Sequence, residues 1–180
     1  MKKLLPGDII LTSSKSFMSK AIKFMLWKIN DPAPYSHIAG CVSAKKVIEA
    51  VFSGVTLNSF EKLISNKNAF MIIRMKKLTY GTRRKIAEMA IEREGTSYGF
   101  VKVMFLQALD QITFTNFFTK HFSITEKVYC SQLWAQIYFD ALKYKINGVN
   151  PKSCEPDDWQ DEVIKNPDKW EIIYERKELC

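Results

Sequence analysis

The stretch "YSHIAGCVSAKKVIEAV", residues 35–51, decides how this chain is read. Two β-rich runs, "SHIAGCVS" and "KKVIEAVFSGV", are separated by Ala44 and Lys45, punctuation that predicts a hairpin. On the first strand His37, Ala39 and Cys41 share one face, while Ile38, Gly40 and Val42 share the other. Glu49 stands inside the second run, where a carboxylate among apolar neighbours is costly without a partner. Pairing the strands brings Glu49 toward His37. A carboxylate so placed holds an imidazole in one tautomer and favours its charged form.

Outward from the hairpin, "PGDIILTSS" predicts a turn and a short strand over Asp8–Thr12, and "AFMIIRMKKL" a third internal strand. Between them "KSFMSKAIKFMLWKI" has helical spacing, with Met18, Ile22, Met25 and Ile29 in one stripe, and Asp31-Pro32 ends it. "NSFEKLIS" predicts a helical turn opened by Asn or Ser. "TYGTRRKIAEMAIEREG" predicts a helix closed near Gly95, and "GFVKVMFLQALDQI" one that is apolar nearly all round. "YCSQLWAQIYFDALKYKING" has a wide apolar face and is expected to stop at Asn147-Gly148. "EPDDWQDEV" predicts a short helix with Pro156 in its first turn, and "WEIIYERK" a last strand. No repeat, low-complexity tract or linker interrupts residues 1–180, so one domain is expected.

Composition narrows the function classes. The chain has 180 residues, 47% apolar and 26% charged, enough for a core without disulfides or metal. The net charge of +8 favours anionic partners, but the 27 basic residues are scattered and carry no zinc-finger or aromatic-basic motif. Specific nucleic-acid binding is therefore not expected. The basic helix with Phe17, Phe24 and Trp27 suits either core packing or an anionic lipid surface, and "ITFTNFF" at 112–118 suits either packing or an apolar substrate channel. Pro6-Gly7-Asp8 breaks the only signal-like opening, and the longest apolar stretch carries Lys102, Gln107 and Asp110. With Cys41, Cys130, Cys154 and Cys180 far apart and no CxxC pair, reduced thiols in the cytoplasm are expected. A zinc site from His37 and Cys41 lacks close-spaced ligand pairs, so neither metal nor cofactor is expected. His121 suits a surface loop, and Asp157 and Asp158 suit first-turn helix charges.

The chemistry converges on "EKVYCSQLWAQ". Cys130 sits where an amphipathic helix begins, and unpaired N–H groups there favour a thiolate and suit a developing oxyanion. A cysteine at a helix start, a histidine on a strand and a carboxylate on the next strand together make a nucleophile, a base and an orienting group.

In the order "PGDIILTSS", "YSHIAGCV", "VIEAVFSGVTLNSFEKL", "GTSYGF", "VYCSQLW" and "EPDDW…WEII", the chain resembles the circularly permuted NlpC-like proteins, the YiiX/YaeF branch of the papain-like superfamily. The cysteine helix follows the histidine strands, as permutation requires. The resemblance implies an α+β fold, a small antiparallel sheet or barrel packed against helices. It implies Cys130 as nucleophile, His37 as base and acid, and Glu49 as orienter. Tyr35, Tyr129 and Ser131 are candidates for oxyanion or substrate contact. The function implied is hydrolysis of amide bonds in peptides, cell-wall peptide fragments or amino-acid amides. Lipid-directed acyl transfer by the same triad, or a catalytically silent binding module, are the alternatives.

Overall fold

The structure, a computed structural model, describes residues 2–13, 35–51, 54–65, 69–96 and 130–176. The expected helices at 16–29 and 99–112, the aromatic segment at 112–118, His121, Tyr129 and Cys180 lie outside them. Six strands, β1 (Ile9–Ser13), β2 (His37–Cys41), β3 (Lys46–Val51), β4 (Gly54–Ser59), β5 (Ala69–Met75) and β6 (Trp170–Arg176), form one antiparallel sheet in the order β4-β3-β2-β1-β5-β6. Four helices accompany it: α1 (Phe60–Ser65), α2 (Tyr80–Ile91), α3 (Cys130–Leu142) and α4 (Pro156–Lys165).

The expected sheet or barrel is an open sheet. Both of its faces are covered, which explains why β1 and β5 read as continuous apolar runs. On one face Ile9, Leu11, Ile38 and Ile48 pack with Leu133, Trp134 and Ile137 of α3. On the other, Ile10, Ala39, Val47 and Ile72 pack under Phe60 and Leu63 of α1.

Two sequence expectations need correction. "KKVIEAVFSGV" is not one strand, because β3 ends at Val51 and β4 returns from Gly54, paired Val51↔Gly54. Gly54 has φ +121°, and a Cβ there would lie 2.8 Å from the Thr96 carbonyl oxygen, which accepts from the Val55 N–H. Only glycine admits that approach. Helix α3 stops at Leu142 rather than at Asn147-Gly148. Lys143 takes a left-handed conformation, φ 56°, and its N–H reaches back to the Phe139 carbonyl. A separate turn at Ile146–Gly148 then buries Ile146. Helix α4 begins at Pro156 as expected, with Glu155 and Asp158 forming a capping box. Asp158 thereby serves the backbone, in line with its expected first-turn role.

Asp8, in the turn before β1, ties the neighbouring strands β1 and β5 to α2. It is fully buried and accepts two bonds from Arg74 of β5, at 2.8 and 2.6 Å, while Arg83 of α2 lies 3.5 Å away. Arg83 also donates to the Pro6 and Met75 carbonyls. An uncompensated guanidinium in such a place is expensive. Asp8→Ala is therefore expected to lower stability by about 3–5 kcal/mol in urea unfolding, whereas a loss under about 1 kcal/mol would mean the pair acts as a surface bridge.

Candidate active site

Cys130 is the first residue of α3, and Trp134 lies one turn further along the same face. The Trp134 indole lies against Gly40 so closely that an added Cβ would fall 2.3 Å from the ring. Its Nε1 donates to the Ile48 carbonyl at 3.2 Å. This contact seats α3 on β2 and β3 and carries its first turn to the His37 end of β2.

The ladder is incomplete at that end. β1 pairs with β2 as far as Thr12↔His37, whereas the pairing of β2 with β3 extends only to Ala39↔Glu49. The Ile38 N–H donates to the Cys130 sulfur, which also accepts from the Ser131 N–H. Burial is the largest single influence on the thiol and raises its pKa. The charge of His37, its hydrogen bond and the two backbone donors outweigh burial, so the pKa is lowered. His37 shifts the opposite way. Burial alone would lower its pKa, but the charge and hydrogen bond of Cys130, followed by those of Glu49, more than offset it and raise the value. The sulfur and the ring thus favour the thiolate–imidazolium form together.

His37 Nε2 lies 2.8 Å from Glu49 Oε2, with the imidazole 19% exposed and the carboxylate 10%. That bond occupies one ring nitrogen and leaves Nδ1 for the sulfur. The structure therefore brings Cys130, His37 and Glu49 together. A further side chain, absent from the sequence-based set, joins them: Asn58 Nδ2 donates to Glu49 Oε1 at 2.9 Å. Sequence alone leaves Asn58 and Ser59 as rival caps for α1. The structure gives the cap to Ser59, whose Oγ accepts from the Lys62 N–H at 3.1 Å.

The remaining candidates are placed differently. The Ser131 hydroxyl is buried and donates to the Cys154 carbonyl at 2.6 Å, so it ties α3 to the segment before α4. The Tyr35 hydroxyl donates to Glu175 of β6 at 3.2 Å, and burial, with Glu175 beside it, pushes its pKa well up. Cys41 and Cys154 are buried, and burial raises both thiols. Among the described residues, no group of three or more His, Cys, Asp or Glu is arranged to hold a metal ion, and no helix is long and apolar enough to cross a membrane.

Comparison with known proteins agrees with this architecture. The crystal structure described as that of metalloprotein YiiX from Escherichia coli O157:H7 matches with a TM-score of 0.62 and 18% identity, covering 97% of this chain and 99% of that one. Identity that low speaks for a shared fold. No curated protein matches the sequence. A family model described as "Permuted papain-like amidase enzyme, YaeF/YiiX, C92 family" matches residues 3–169. With nearly the whole chain inside that match, the protein belongs to the permuted papain-like amidase family and is a cysteine peptidase or amidase-type hydrolase.

Proposed function

We propose that the protein hydrolyses amide bonds of peptides, cell-wall peptide fragments or amino-acid amides through a Cys130–His37–Glu49 triad. The observation that carries this reading is the 2.8 Å bond between His37 Nε2 and Glu49 Oε2, with the Cys130 sulfur as the ring's other partner. The thiolate of Cys130 attacks the substrate carbonyl carbon, and the carbonyl electron pair moves onto oxygen. The first-turn N–H groups of α3 suit that oxyanion. Collapse of the intermediate breaks the C–N bond as His37 delivers its proton to the leaving nitrogen. Water then attacks the thioester, with His37 taking its proton, and the acid leaves as the thiolate is restored. Glu49 keeps the ring oriented and offsets its charge throughout. The nucleophile works only as a free thiol, which favours a reducing compartment such as the cytoplasm. Peptide fragments and small amides, rather than intact cell wall, are the substrates met there.

A panel of peptide and amino-acid amides tests the assignment. Cys130→Ala is expected to abolish turnover, His37→Ala to lower kcat by roughly 10²–10⁴-fold, and Glu49→Gln to fall between His37→Ala and the parent. Equal turnover in parent and variants overturns the triad.

The pH dependence follows from the paired shifts. The reactive ion pair exists above the lowered thiol pKa and below the raised imidazole pKa, so kcat/KM should be bell-shaped with its alkaline limb at about 9. Iodoacetamide should alkylate Cys130 at neutral pH and leave Cys41 and Cys154 unmodified. In His37→Ala the midpoint of Cys130 alkylation should move to about 8.5 or higher, the ordinary thiol range. An unchanged midpoint would show that the ring does not govern the sulfur.

A further inference from the structure

His37, Glu49 and Asn58 lie on one diagonal across three strands. The register Ala39↔Glu49 puts His37 two residues to one side of Glu49, and Val47↔Asn58 puts Asn58 two residues to the other. All three side chains share a face, and diagonal neighbours of this kind are within reach of long side chains. Each carboxylate oxygen has its own partner: Oε2 takes the imidazole at 2.8 Å, and Oε1 takes the Asn58 amide at 2.9 Å.

The amide is held in one orientation. Asn58 Oδ1 accepts from Lys62 Nζ at 3.0 Å, which turns Nδ2 toward Glu49 and toward Thr56 Oγ1 at 3.1 Å. An amide reversed by half a turn would aim its N–H groups at an ammonium and its oxygen at a carboxylate, two repulsive contacts. Lys62 is itself placed by the Ser59 cap of α1. The short helix α1 thus bears on the site through Lys62, Asn58 and Glu49.

From this geometry we infer that Asn58 is a positioning residue of the reaction, fixing the Glu49 carboxylate so that Oε2 meets the imidazole, with Lys62 holding the amide in its donating orientation. The inference rests on the triad reading above. Without Asn58, Oε1 of Glu49 loses the donor that orients it, the imidazolium loses part of its stabilisation, and the sulfur loses part of the positive charge that favours its thiolate. Among the described residues, His37 from β2, Thr56 and Asn58 from β4 and, through the amide, Lys62 from α1 stand around Glu49. Lys62 sits at the exposed end of this chain, where solvent screens its charge, so its main effect on Glu49 is to orient the Asn58 amide.

The test is the pH midpoint of Cys130 alkylation by iodoacetamide, measured in the full chain. Parent, Asn58→Ala, Asn58→Asp, Glu49→Ala and the double variant Glu49→Ala/Asn58→Ala are compared. Asn58→Ala is expected to move the midpoint up by about one pH unit, a ten-fold loss of thiolate on the acid side. Asn58→Asp keeps the shape but removes both donors and sets a second carboxylate against Glu49, so it should not restore the parent midpoint. If Asn58→Ala loses its near-UV circular dichroism, Asn58→Asp alone decides. In the Glu49→Ala background, Asn58→Ala should add nothing. A parent-like midpoint in the Asn58 variants, with Glu49→Ala shifted, overturns the positioning role and leaves the triad standing. So does an equal further shift in the Glu49→Ala background, which would mark a general structural effect. A parent-like midpoint in Glu49→Ala itself overturns the triad reading and this inference with it.

Discussion

The contact between Trp134 and Gly40 is the constraint on which the site depends. A helix laid on a sheet is free to slide until something locks it, and here an indole fills the space that any side chain at position 40 would need. Its Nε1 bond to the Ile48 carbonyl fixes the ring in a second direction, across β3. Cys130 lies one turn before Trp134, so locking the indole also sets where the sulfur arrives. It arrives where β2 has lost β3 as a partner, beside His37 and the Ile38 N–H. Close packing thereby decides an electrostatic arrangement.

That arrangement opposes the usual effect of burial. Taking a thiolate or an imidazolium out of water disfavours each by itself. At this site the two groups compensate each other, and fixed partners supply the remainder: backbone N–H dipoles on the sulfur and a carboxylate charge on the ring. Asp8 with Arg74 and Arg83 shows the same principle in a structural role, since a buried charge is retained only where partners surround it.

Much of this was legible in the residues. Glu49 stood out because a carboxylate is expensive inside "VIEAV", and Cys130 because an amphipathic pattern begins there. The alternation of β2 correctly put Ile38 on one face and Ala39 with Cys41 on the other, and Pro156 correctly marked the start of α4. Three features were not legible, each for a physical reason. The role of Asn58 depends on strand register, and a polar residue before Ser59 looks the same whether it caps a helix or faces Glu49. The end of α3 turns on Lys143 taking a left-handed conformation, which its side chain does not announce. The partners of Tyr35 and Ser131 are distant in sequence, Glu175 and Cys154, so their hydroxyls were offered to the site when the fold uses them for bracing.

The claim at the centre is that His37 carries its proton because of the sulfur and carboxylate beside it. With only two histidines in the chain, ¹⁵N-detected titration of the imidazoles reads it with little overlap. The account predicts one ring with a pKa raised to about 9, falling in Cys130→Ser, where the thiolate charge is gone, and falling in Glu49→Gln. A His37 ring that titrates near the ordinary value of about 6.5, unmoved by either substitution, would contradict it.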